Sequence, residues 1–173
     1  MTHEKIMDSR NFNFLRSNYP ELAELGAFAE YYAYSDPASA LVKLRLFGEN
    51  LVADFLQHHQ VSRPSEPSFL ELISQVGQQG LAPPAVLNKL HALRLEGNRA
   101  AHDSGTSAVS TEKVLWILKE AFELGKWFVL SLHEEESVHG LSFEPPVQDQ
   151  TKGAIKRDKK AGLVITFYKN YIQ

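Results

Sequence analysis

A chain of 173 residues, 43% hydrophobic and 23% charged, has the size and composition of one globular domain and can bury roughly 70% of its unfolded surface. It has no cysteine, which excludes disulfides and thiolate metal sites, and no apolar run approaching the ~18 residues of a membrane span or a signal-peptide core, so a cytoplasmic protein is expected. The net charge of −3 is unevenly divided: residues 151–173 hold six basic residues against Asp158, which leaves −8 on residues 1–150 and excludes a basic nucleic-acid platform over the body.

Phe12, Phe14 and Leu15 form an apolar lead-in that should plug the edge of a core. Pro20 suits a first helical turn, and Leu22, Leu25, Phe28, Ala29 and Tyr32 then recur with helical period. Ser35-Asp36-Pro37 offers a cap followed by proline, predicting a second helix to about His59. The segment 61–67 holds two prolines and two serines and reads as a surface loop. Ser68 caps a shorter helix using Phe69, Leu72, Ile73 and Val76, which Gly77 and Gly80 weaken and end. Pro83-Pro84 opens a fourth helix to His102, closed by the turn-forming residues 103–107. Ser110-Thr111 starts the last, with Val114, Leu115, Leu118, Ala121, Phe122, Gly125, Val129 and Leu132 on a broad apolar face that Trp116 and Trp127 flank. The expectation is an all-α bundle of about five helices over residues 1–137, followed by an extended or disordered linker and basic tail over 138–173. Within that tail, Leu163–Tyr168 has strand composition. It would begin a following domain, pair within an oligomer, or be a stretch foreign to the domain.

Helices two and four carry a shared pattern. In the second, Leu41, Leu44, Gly48, Leu51 and Phe55 make an apolar face, with Arg45 and Glu49 four apart on a neighbouring stripe. In the fourth, Leu87, Leu90, Leu93 and Gly97 make the face, while Arg94, Asn98 and His102 follow at successive steps of four that drift about 40° each. The small residues Gly48, Gly97, Ala100 and Ala101 allow two backbones to approach, so the helices should pack with Arg45, Glu49, Asn98 and His102 in or near the seam. Such a cluster is either a satisfied polar network holding the bundle or a ligand- or nucleotide-sensing pocket.

The Arg-xxx-Glu helix followed by a helix ending Gly-Asn-x-Ala-Ala-His resembles a helical domain at the N-terminus of type I restriction enzyme R subunits, related to the HEPN superfamily. Residues 13–22 and 34–45 look like the same branch, and the likeness spans residues 11–135. The resemblance implies a HEPN-like, non-catalytic docking or regulatory module of an ATP-dependent DNA-cleaving complex in phage defence. Modification and specificity subunits would be its partners, DNA would be reached through the complex, and a homodimer is a further arrangement. A free-standing defence or scaffolding module is a third form it could take. The alternative is a HEPN-like, metal-independent ribonuclease or toxin component acting as a dimer. Its candidates are Arg94, Asn98 and His102, but two residues separate Arg99 from His102 and seven separate Arg94, and neither spacing fits the arginine–histidine motif of those enzymes.

Other chemistry is poorly provided for. His58 and His59 are adjacent and diverge on a helix, His91 is distant from His102, and His133-Glu134-Glu135-Glu136-Ser137 lacks the second histidine of a zinc protease, so neither metal nor cofactor is expected. Neither a phosphate-binding loop nor a complete nucleophile elbow is present. Lys156, Arg157, Lys159 and Lys160 alone have the sign to meet phosphate, and Asp158-Lys159-Lys160 fits a nuclease motif only formally; a solvated charge run is the plainer reading.

Overall fold

The computed structural model describes residues 7–102 and 108–148. Among them, a short 3₁₀ turn (Asn13–Leu15) leads into five α-helices: α1 (Pro20–Tyr32), α2 (Pro37–His58), α3 (Phe69–Gln78), α4 (Pro84–His102) and α5 (Thr111–His133). A second 3₁₀ turn spans Glu136–Gly140, and no strand occurs among these residues. The architecture is the expected all-helical bundle. The turn at 103–107, the basic residues Lys156, Arg157, Lys159 and Lys160, and the strand-like Leu163–Tyr168 lie outside the described residues.

Local chemistry sets the helix starts. Asp36 accepts from the Ser39 amide at 3.2 Å, satisfying a donor that the first turn leaves free. At α3 the Glu71 amide donates to Ser68 Oγ at 3.2 Å while the Ser68 amide donates to the Glu71 carboxylate at 2.7 Å, a reciprocal capping box. These bonds hold the exposed Glu71 carboxyl below its ordinary range. Ser110 caps α5 by accepting from the Lys113 amide, and α5 ends where Glu134 enters the left-handed region at φ 51°.

Helix α2 touches each of the other four and runs through the middle of the core. Its apolar side chains Leu41, Leu44, Phe47, Leu51 and Phe55 are all at most 2% exposed. The lead-in goes deeper than the core edge: Phe12 and Leu15 are fully buried, Phe12 sits edge-on to Phe47 at 5.3 Å, and it fills the notch left by Gly26. Phe14 is partly buried and packs edge-on to Phe122 at 6.1 Å. Trp127 leans on Phe55 at 4.7 Å, whereas Trp116 is half exposed.

Residues 138–148, which composition alone suggests as linker, lie on the bundle. Val138 is 2% exposed, Phe143 packs on Phe122 at 5.8 Å, and the Tyr34 hydroxyl donates to the Pro146 carbonyl at 2.8 Å. Asn11 exchanges a pair of hydrogen bonds with the Glu144 backbone, each 2.8 Å, so the two ends of the described chain are tied together. Contacts to the packed body therefore reach Pro146, past the boundary suggested at 137.

Candidate functional site

The α2–α4 seam is built around Gly48, Gly97 and Arg45. A Cβ on Gly97 would collide with the Arg45 side chain and stand 3.0 Å from the Leu41 carbonyl oxygen; one on Gly48 would stand 2.8 Å from Phe69 and 3.1 Å from Leu93. The two glycines thus let α4 approach α2, and the Arg45 stem lies across Gly97. Arg45 and Glu49 are half-buried and form a loose ion pair of 3.7 Å. Arg94 and Asn98 are half-buried on the flank of α4, with His91 one turn earlier.

His102 is placed differently from the sequence expectation. It is exposed at the end of α4 and shares no hydrogen bond with Glu49 or Asn98 among the described residues, because the drift of successive four-residue steps carries it off the contact face. Arg45 and Glu49 therefore lie at the seam, Arg94 and Asn98 are half-buried on the flank of α4, and His102 is exposed beyond them.

The seam is not a fully satisfied network. Arg45 Nε and Arg94 Nε are buried and meet no acceptor, and Arg94 has no ion-pair or hydrogen-bond partner among the described residues. Burial, then the charge of Arg94, pushes the His91 imidazole below its ordinary range and favours its neutral form. By contrast, Glu96 on the α5 side of α4 is well met: 7% exposed, it takes Arg99 at 2.6 Å and Lys113 at 3.0 Å.

A second polar locus is invisible in the sequence pattern. Asn18, Tyr19, Glu21, Asn50 and Asp54 line a cleft of about 330 Å³ where the start of α1 meets α2. Burial, then the neighbouring Glu21 carboxylate, pushes the Asp54 carboxyl up, and Arg63 opposes this. Burial and the Asp54 charge likewise push the Tyr19 phenol up; its hydroxyl lies 2.7 Å from His133 Nε2. The phenol and the imidazole are thus within hydrogen-bonding distance of one another. A broader hollow of about 610 Å³ runs along the loop from Val61 to Pro67.

Two buried polar residues also escaped the sequence pattern. Glu30 is 7% exposed and its carboxylate accepts from Ser9 Oγ, the Arg10 and Asn11 amides and Asn11 Nδ2 at 2.6–2.9 Å. Lys43 is 8% exposed, with Nζ 4.9 Å from the Phe28 ring centre, and burial pushes its ammonium below the ordinary range. The signal for Glu30 was available: it falls on the stripe of Ala23 and Ala27, where an acid interrupts an apolar face.

No group of three or more histidine or acidic residues able to hold a metal occurs among the described residues, and no helix among them is long and apolar enough to cross a membrane. No curated protein and no solved structure matches the chain. Residues 28–125, more than half of the chain and the part that contains the entire α2–α4 seam, match the family described as a domain of unknown function, DUF4145, and the chain belongs to that family.

Proposed function

We propose that the bundle is a non-catalytic docking or regulatory module, working in the cytoplasm as the N-terminal domain of a type I restriction R subunit, HEPN-like in its ancestry. Other parts of such a subunit would translocate and cut DNA; this domain would hold the modification and specificity subunits. One observation carries the reading: the Arg-xxx-Glu of α2 and the Gly-Asn end of α4, which are the motifs of the resemblance, meet in one seam with Arg45 laid across Gly97. That seam offers half-buried donors and no nucleophile aligned with a base, which suits recognition rather than turnover.

The test is a pull-down with assembled modification and specificity subunits, using the full chain and a chain cut after Gln148, which keeps Glu144 and Pro146 and their bonds to Asn11 and Tyr34. Retention by both forms supports a docking body. Absence of binding by either overturns the restriction reading. Metal-independent RNA cleavage lost on His102→Ala would replace it with the ribonuclease.

A further inference from the structure

Residues 141–148 are held on the bundle by side chains rather than by structure of their own. Past the 3₁₀ turn that ends at Gly140 the segment forms neither helix nor strand, and only Phe143 and Pro146 within it are not exposed. The groups that hold it come from three places and mostly read its backbone. Asn11 Nδ2 donates to the Glu144 carbonyl and Asn11 Oδ1 accepts from the Glu144 amide, each at 2.8 Å, much as a neighbouring strand would pair with that residue. Just past α1 the Tyr34 hydroxyl donates to the Pro146 carbonyl at 2.8 Å, and on α5 Lys126 Nζ donates to the Leu141 carbonyl at 2.9 Å. Side chains add selectivity: Phe143 packs on Phe122 at 5.8 Å, Pro146 is buried, and Arg10 meets the Glu144 carboxylate at 2.9 Å. Asn11 is also fixed from behind. Its Nδ2 donates to Glu30 Oε1 at 2.6 Å and its backbone amide donates to the same oxygen at 2.8 Å, so its side chain is aimed by a group that does not belong to the segment.

We propose that this groove is a peptide site reading an extended aromatic-acid-proline-proline sequence, which Phe143–Pro146 fills within one copy of the chain and the same residues of a second copy fill in trans. The occupant is set by the structure, since the segment seated in the groove is the same in every copy. Backbone pairing together with a seat for proline is a recurrent mode of binding extended peptides. Within one copy the segment is tethered to α5 through residues 134–140, and a short tether gives an effective concentration on the order of millimolar. A free peptide therefore meets a filled site until the tethered segment is weakened. The groove is independent of the restriction reading, and neither stands or falls with the other.

The experiment titrates a fluorescent peptide of residues 141–148 into the full chain and follows its anisotropy. The F143A/P146A chain, whose own segment is weakened, should bind the peptide at least about tenfold more tightly than wild type does. Adding Tyr34→Phe to that chain removes one donor to the peptide backbone and should weaken binding about fivefold. Equal affinity for wild type and a folded F143A/P146A chain, or binding indifferent to Tyr34→Phe, overturns the proposal. Should F143A/P146A fail to fold, hydrogen exchange in the wild-type chain decides. A segment that leaves while the bundle stays folded gives the Glu144 amide a protection factor at least about a hundredfold below that of Leu51 in the middle of α2. Equal protection of the two amides would show that the segment leaves only on global unfolding and would overturn the exchange.

Discussion

Replacing Glu30 tests whether a buried polar clasp, rather than apolar packing alone, holds the ends of the domain. Its carboxylate accepts four hydrogen bonds, from Ser9 Oγ at 2.8 Å, the Arg10 amide at 2.9 Å, the Asn11 amide at 2.8 Å and Asn11 Nδ2 at 2.6 Å. Asn11 in turn carries the two bonds to Glu144. Hydrogen bonds to a charged acceptor contribute about 1.5–3 kcal/mol each, but they are not additive, and Arg10 is exposed enough for water to reach its backbone once the acceptor is gone. Glu30→Ala should therefore cost about 4 kcal/mol, a large share of the ~5–15 kcal/mol of a typical domain. Glu30→Gln keeps the shape but turns an NH₂ toward two donors, and should cost about 2–3 kcal/mol. Urea unfolding measures both, and native-state hydrogen exchange should show the amides of Asn11 and Glu144 losing protection together. A cost below about 1 kcal/mol for Glu30→Ala, with both amides still protected, would refute the clasp.

Two further perturbations have signs fixed by the structure. Gly97→Ala gains helix propensity of about 1 kcal/mol but places a methyl on Arg45 and 3.0 Å from the Leu41 carbonyl, so a net loss of about 1–2 kcal/mol is expected; Gly77→Ala, whose methyl would meet only Leu87 at 3.5 Å on an exposed turn, should instead stabilise by about 0.5–1 kcal/mol, and thermal melts of the pair distinguish close approach from propensity. Asp54 has its carboxyl pushed up by burial and by Glu21, so the unfolded chain ionises first as pH rises and stability falls across the window from the ordinary carboxylate range of about 4 up to the raised folded value. Asp54→Asn should accordingly raise Tm at neutral pH and leave it unchanged below that window; an equal shift at both pH values would show that charge is not the cause.

The helix starts were legible because each is written within four residues: Asp36-Pro37, Ser68 with Glu71, and Ser110 all cap as their local chemistry requires. The central position of α2 was legible in part, from the periodic Leu41, Leu44, Gly48 and Leu51 and from the glycines that bring α4 onto it. What remained hidden is long-range. The partners of Glu30 lie 19–21 residues earlier in the chain, and Asn11 reaches Glu144 across 133 residues, separations at which no local pattern survives. The same blindness made residues 138–148, with Pro145-Pro146 and no period, look like linker. The position of His102 was misplaced for a smaller reason: a step of four residues drifts about 40°, and two such steps from Arg94 suffice to turn a side chain out of a contact.

The polar groups of this bundle divide into two kinds, and the division bears on function. Glu30 and Glu96 are acids nine-tenths buried, and each has its donors in place: four hydrogen bonds for the first, Arg99 and Lys113 for the second. Such groups lock one segment to another, chain ends at Glu30 and α4 to α5 at Glu96, and they account for themselves energetically. Arg45 and Arg94 differ: the Nε of each is covered and meets no acceptor among the described residues, and the Arg45 stem lies across Gly97 where α4 approaches α2. A covered donor without an acceptor costs about 1–3 kcal/mol, while the close approach of the two helices rests on Gly48, Gly97, the Arg45 stem and the leucines around them. The fold therefore explains its buried acids from within: each has its donors in place, and each ties one segment of the bundle to another.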